Sequence, residues 1–110
     1  DTLASELSYG EQRQLEISMM LATEPELLLL DEPLGGMGIS ETQNMIELIK
    51  RLARERTIIL IEHDMDAVFA LADTLTVMVN GKVLATGTPS EISNSKDVRD
   101  AYLGTEKYDQ

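Results

Sequence analysis

Asp31 and Glu32 stand side by side directly after four consecutive leucines, Leu27 to Leu30, and just before Pro33. An aspartate at the end of a buried strand can hold Mg²⁺ through retained waters, with phosphate oxygens completing the shell. The adjacent glutamate can polarise an attacking water, help typically worth about 10²–10⁴ in rate. The same pair also reads as two solvated acids before a turn. Near the start, Leu7-Ser8-Tyr9-Gly10-Glu11-Gln12 lies at the mouth of a helix. A serine hydroxyl, unhindered glycine N–H groups and the helix dipole can face an anion there. An ordinary Ser-capped helix start uses the same residues. His63 is the sole histidine and follows a second apolar run, Thr57 to Ile61. Its imidazole can donate to a terminal phosphate. Taken alone, a histidine packed at a strand end is the better reading.

These residues need elements to hold them. The spacing predicts a helix from about Glu11 to Thr23, stopped by Pro25, which disfavours helical geometry at Glu24. Pro25 and Pro33 leave Leu27–Leu30 too short for a helix, so a strand buried on both faces is expected. A glycine-rich loop, Leu34-Gly35-Gly36-Met37-Gly38, leads to Ser40. With Gln43 three residues on, Ser40 is expected to cap the next helix through a capping box. Met45, Ile46, Ile49, Leu52 and Ala53 form one apolar face of that helix. Thr57–Ile61 reads as a second buried strand, and the strand–helix–strand order predicts a right-handed parallel crossover. The ends of the two strands would bring His63 near Asp31 and Glu32.

Asp64 is expected to cap a short helix through Ala72. Thr74–Val79 and Lys82–Thr86 read as a hairpin turning at Asn80-Gly81. Thr88-Pro89-Ser90-Glu91 reads as a second capped helix start, running on as one helix towards Gly104. The fold class is therefore α/β.

Composition narrows the functions. A formal net charge of −11 repels phosphate backbones, so a nucleic-acid partner is not expected. No apolar run reaches the length a membrane-spanning helix needs. With no cysteine, disulfide scaffolds and thiolate metal sites are excluded. The chain starts at Asp1, without Met or a signal-peptide pattern, and reads as a piece of a longer protein.

The order of these features resembles the ABC ATPase family. Leu7 to Gln12 is similar to the family signature, usually Leu-Ser-Gly-Gly-Gln, with Tyr9 replacing one glycine. Leu28-Leu29-Leu30-Asp31-Glu32-Pro33 resembles the Walker B segment, and the resemblance makes Glu32 the catalytic base and Asp31 the Mg²⁺ ligand through water. Gly35, Gly36, Met37 and Gly38 occupy the D-loop, where Gly38 stands at the usual aspartate and a flexible or unusual backbone is expected. His63 matches the switch histidine. The resemblance implies a P-loop NTPase-like parallel sheet fragment made of signature helix, Walker B strand, H-loop strand, C-terminal hairpin and helix. It divides the chain into 1–25, signature loop and helix, and 26–110, the remainder.

Leu7-Ser8-Tyr9-Gly10-Glu11-Gln12, Ile61-Glu62-His63-Asp64-Met65, Gly87-Thr88-Pro89 and Ala101-Tyr102-Leu103-Gly104 look like the ATP-binding subunits of branched-chain amino-acid importers. Other ABC importer or exporter ATPases, and non-transport types of DNA repair and chromosome maintenance, are the alternatives. The resemblance implies ATP and Mg²⁺ as ligands. Ser8, Gly10, Glu11 and Gln12 would serve the ATP of a second, head-to-tail subunit. Transmembrane permease subunits and, indirectly, a solute-binding protein would be partners. Such a subunit would be cytoplasmic and peripheral on the inner face of the cell membrane. A P-loop needs Gly-x-x-x-x-Gly-Lys-Ser/Thr. Gly81-Lys82 fails it, because Thr76 stands at the first glycine and Val83 follows the lysine. The 110-residue chain is expected to be inactive alone, to hold ATP and Mg²⁺ weakly, and to leave strand edges that invite self-association.

Overall fold

Both apolar runs become strands and pair in parallel. In the computed structural model, which describes residues 8–103, Leu27–Asp31 (β1) runs alongside Thr57–Ile61 (β2), with Leu27 opposite Thr57 and Asp31 opposite Ile61. Ile39–Ala53 (α2) connects them, preceded by Tyr9–Leu21 (α1) and followed by Met65–Leu71 (α3). These elements form one of two compact units, which divide between Leu71 and Ala72. The core of this unit is Ile17, Leu30, Leu34, Met45, Ile46, Ile49 and Ala67. The apolar face expected of α2 is therefore inward at Met45, Ile46 and Ile49, with Leu52 half-buried; Ala53 is exposed.

β1 departs from expectation. Leu28 and Leu30 are buried, but Leu27 and Leu29 are 48% and 65% exposed. On β2, Ile59 and Ile61 are likewise exposed. Parallel strands earn continuous apolar sequence by being covered on both faces. Among the described residues the core lies against one face only, so the other is bare.

Ends of helices account for the other differences. α1 begins at Tyr9, two residues earlier than spacing predicts, because Ser8 and Glu11 make a reciprocal capping box. It ends at Leu21, and Glu24 before Pro25 sits at φ 53, outside helical geometry as expected. Ser40 does not cap α2: extended Gly38 is the N-cap, no side-chain bond is made there, and Ser40 lies inside the first turn. Asp64 does cap α3, accepting the Ala67 N–H at 3.2 Å.

The second unit is a hairpin with short helices. Leu75–Val79 (β3) pairs antiparallel with Lys82–Gly87 (β4). Asn80 and Gly81 turn with φ 52 and 78, the positive values a tight hairpin requires. Thr88 and Glu91 form the expected capping box on Pro89–Ser93 (α4). The single C-terminal helix expected here is broken. Asn94 ends α4, Ser95 caps the turn Lys96–Val98 (α5), and a π-type turn runs through Arg99–Leu103. Ser95 causes the break by accepting the Val98 N–H, a new helix start. The Tyr102 hydroxyl donates to the Met78 carbonyl, and Ile92, Val98, Leu75 and Val77 are buried. Leu7 and Gly104 lie outside the described residues.

Met45 is fully buried in the first unit. Met45→Ala is expected to cost about 2–5 kcal/mol, read as a shift in the urea unfolding midpoint.

Candidate functional site

The parallel register decides what meets at the carboxyl end of the sheet. Glu32 N–H donates to the Ile61 carbonyl at 2.7 Å, carrying the ladder one residue past β1. Two residues beyond Ile61, the His63 Nε2 lies 3.5 Å from Glu32 Oε1. The expected meeting of His63 and Glu32 is thus present. Both side chains are largely open to solvent, 78% and 54%. Such a pair contributes little to stability, since water screens it. Its placement can matter for chemistry instead. Glu32 holds φ 49, a left-handed conformation that costs a non-glycine residue roughly 1 kcal/mol. The turn therefore aims the Glu32 side chain against local backbone preference.

Asp31 is exposed at the end of β1, on the same face as Leu27 and Leu29, along a groove shared with Arg13 and Glu16. Among the described residues, no three His, Asp or Glu side chains group to make a metal cage. A lone carboxylate fits Mg²⁺ that keeps most of its water and gains phosphate ligands, and does not fit a site built from protein alone.

Glu62 is a residue that spacing alone did not single out. Its two oxygens accept the Leu34 N–H at 3.2 Å and the His63 N–H at 3.1 Å. It thereby fastens the loop after Glu32 to the end of β2. The contact crosses 28 residues, so no local pattern could reveal it. In the loop itself, only Gly36 has the positive φ, 78, that favours glycine. Gly38 is extended, with open space where a Cβ would stand. The unusual backbone expected of this loop is confined to Gly36. Met37 packs against the core.

The segment Ser8–Gln12 is more engaged than its sequence suggests. Ser8 Oγ accepts the Glu11 N–H at 3.2 Å, and Glu11 Oε1 accepts the Ser8 N–H at 3.0 Å. The backbone bond from Ser8, then its side-chain bond, hold the Glu11 carboxyl below its ordinary range. Glu11 is thus turned to its own helix start. The Gln12 N–H is bonded to the Ser8 carbonyl. Gly10 is buried, and its N–H, expected to face an anion, donates to Glu41 Oε2 at 2.8 Å. Tyr9, beside Gly10, carries the Arg13 guanidinium 5.5 Å from its ring centre.

With this geometry in place, known proteins can be set beside it. Residues 1–35 match the family model described as ABC transporter, and residues 82–108 the one described as branched-chain amino acid ATP-binding cassette transporter. The resemblance is to the ATP-binding domains of ABC transporters. LivG of Salmonella typhimurium, a high-affinity branched-chain amino acid transport ATP-binding protein, is 50% identical over 92% of this chain and 40% of its own length. Its Escherichia coli counterpart is 48% identical over the same shares. The ADP conformation of MJ1267, an ATP-binding cassette of an ABC transporter, superposes with TM-score 0.82 at 31% identity, covering 94% of this chain and 43% of that one. CbiO1 from Clostridium perfringens, part of the transporter complex cbiONQ, gives 0.78 at 32% identity, over 92% and 41%. The fold is therefore a portion of a P-loop NTPase-like α/β domain, like those of the ABC transporter structures it resembles. The chain spans about 40% of the length of the curated relatives it matches. No helix among the described residues is long and apolar enough to cross a membrane.

Two outcomes follow from the caps and the loop. Glu11 and Glu91 both have lowered pKa values, each through a bond from its capping partner's backbone first. A depressed folded-state pKa gives stability that is present above the unfolded value and lost as pH falls through the folded one. Exchanging both for Gln is expected to flatten the stability profile on its acid side, read by thermal melts across that range. Gly38→Asp is expected to fit without strain and to raise stability by a few tenths of a kcal/mol, because Asp caps slightly better than Gly. A lowered melting temperature would contradict it.

Proposed function

We propose that this segment forms part of an ATP-hydrolysing subunit that powers a membrane importer, with branched-chain amino acids as cargo. The observation that carries the reading is Glu32 and His63 meeting 3.5 Å apart at the carboxyl end of a parallel strand pair, where α/β folds hold their ligands. The names of the relatives and of the model matching residues 82–108 support the cargo class.

In this reading residues 1–25 supply the signature element and residues 26–110 the hydrolytic one. Glu32 accepts a proton from water as the water oxygen bonds to the γ-phosphorus and the bond to the β–γ bridging oxygen breaks, releasing ADP and phosphate. His63 donates its imidazole N–H to the γ-phosphate and stands beside Glu32. Asp31 would hold Mg²⁺ through water, and the ion would offset phosphate charge. Ser8, with Gly10 to Gln12 shaping the turn, faces the ATP of a second subunit in a head-to-tail dimer. The loop Gly35–Gly38 lies at that dimer contact. Transmembrane permease subunits anchor the pair at the inner, cytoplasmic face of the membrane, and a solute-binding protein acts through them. No Gly-x-x-x-x-Gly-Lys-Ser/Thr occurs in these 110 residues, so the segment alone hydrolyses nothing.

In the complete subunit, Glu32→Gln is expected to lower ATP turnover by about 10²–10⁴. His63→Ala should lower it by roughly 10². Phosphate release assays give both values. Turnover of the Glu32→Gln protein equal to that of wild type would remove the proposal.

A further inference from the structure

Two contacts join the first turn of α1 to the stretch that runs from Glu32 into the first turn of α2. In the first, Glu41 reaches from the first turn of α2 to accept the Gly10 N–H at 2.8 Å, across 31 residues of sequence. The bond is partly buried, and its acceptor is a carboxylate at a helix N-terminus, where negative charge is favoured. Gly10 is what admits it. A Cβ there would overlap Glu41 Oε2 and lie 3.0 Å from its Cδ and 3.2 Å from its Cβ, so Glu41 supplies all three nearest atoms. In the second contact, the Tyr9 ring lies over Gly36, where a Cβ would stand 3.4 Å from the ring carbons. Neither contact belongs to the hydrophobic core, and both connect elements that the proposed hydrolysis uses.

We infer that Glu41 is a positioning residue of that hydrolysis, on which this inference rests: it clasps the signature turn to the start of α2, so that the loop after Glu32 and the turn carrying Ser8 move as one piece. A shift that begins at the Glu32 end of the loop is then carried to Ser8 through a hydrogen bond and a ring contact. The glycine at position 10 serves the clasp, since its N–H is the donor and its missing side chain is the space. The clasp needs an acceptor at position 41 more than it needs a charge, and that requirement separates it from general surface electrostatics.

The test uses the complete subunit, with kcat and KM for ATP measured beside hydrogen exchange at the Gly10 amide. Glu41→Gln keeps an acceptor, so its kcat should stay within about twofold of wild type and its Gly10 amide should stay protected. Glu41→Ala should lower kcat roughly tenfold, move KM less, and speed exchange at Gly10. Adding Glu41→Ala to Gly10→Ala should cost less than the two effects summed, because both remove one contact. Unchanged exchange at Gly10 in Glu41→Ala overturns the clasp whatever the turnover, including where Glu32→Gln has already shown the hydrolysis reading to fail. A lower KM for Glu41→Ala also overturns it, since Glu41 would then be competing with phosphate. Equal loss in Glu41→Gln and Glu41→Ala does the same. Should Glu41→Ala not fold, a Gly10 amide unprotected in wild type, or exposed in Glu41→Gln, decides against the clasp.

Discussion

The parallel pairing of β1 with β2 is the constraint on which the carboxyl end of this sheet depends. Side chains alternate along a strand, so a slip of one residue would exchange the buried and exposed faces of β1 and carry Leu28 and Leu30 out of the core. The same slip would separate Glu32 from His63. Burial of two leucines and approach of two polar side chains are thus set by a single register. The Glu32 N–H bond to Ile61 extends that register beyond the strand, and the Glu62 carboxylate ties the next loop to it. Chemistry at the sheet end inherits its accuracy from packing farther down the strands.

Carboxylates organise the backbone at several points. Glu11 and Glu91 close their own helix starts, Asp64 caps α3, Glu62 bridges two loop N–H groups, and Glu41 holds Gly10. A surface of net charge −11 therefore contains acids with local structural work as well as solvated ones. Each meets N–H groups that no regular ladder satisfies, part-buried ones at Gly10, Leu34 and Ala67 and exposed ones at Ser8, His63 and Thr88. Glu32 and Asp31 differ: they remain exposed, one beside His63 and the other along an open groove.

Features encoded over a few residues were legible in the sequence. The leucine run between prolines gave a strand, Asn80-Gly81 gave its turn, Thr88 to Glu91 gave a capping box, and Asp64 gave a cap. Ser40 misled because a good capping residue stood two positions after extended Gly38, where the helix had a backbone start already. Ser95 was overlooked for the opposite reason: a serine inside an apparently continuous helix restarted it. Glu41 and Glu62 were hidden because their partners lie 31 and 28 residues away, a relation that only the fold creates. The solvent exposure of Leu29 and Ile59 was hidden too, since a sequence made for two-sided burial looks the same whether or not the second side is covered.

That uncovered side has meaning for the chain's life in a cell. Leu27, Leu29, Ile59 and Ile61 present aliphatic surface from two adjacent strands. Extended apolar stretches of this kind are what holdase chaperones and quality-control proteases recognise, and their exposure promotes aggregation at micromolar concentrations. A layer packed over these four side chains would hide that surface from both fates.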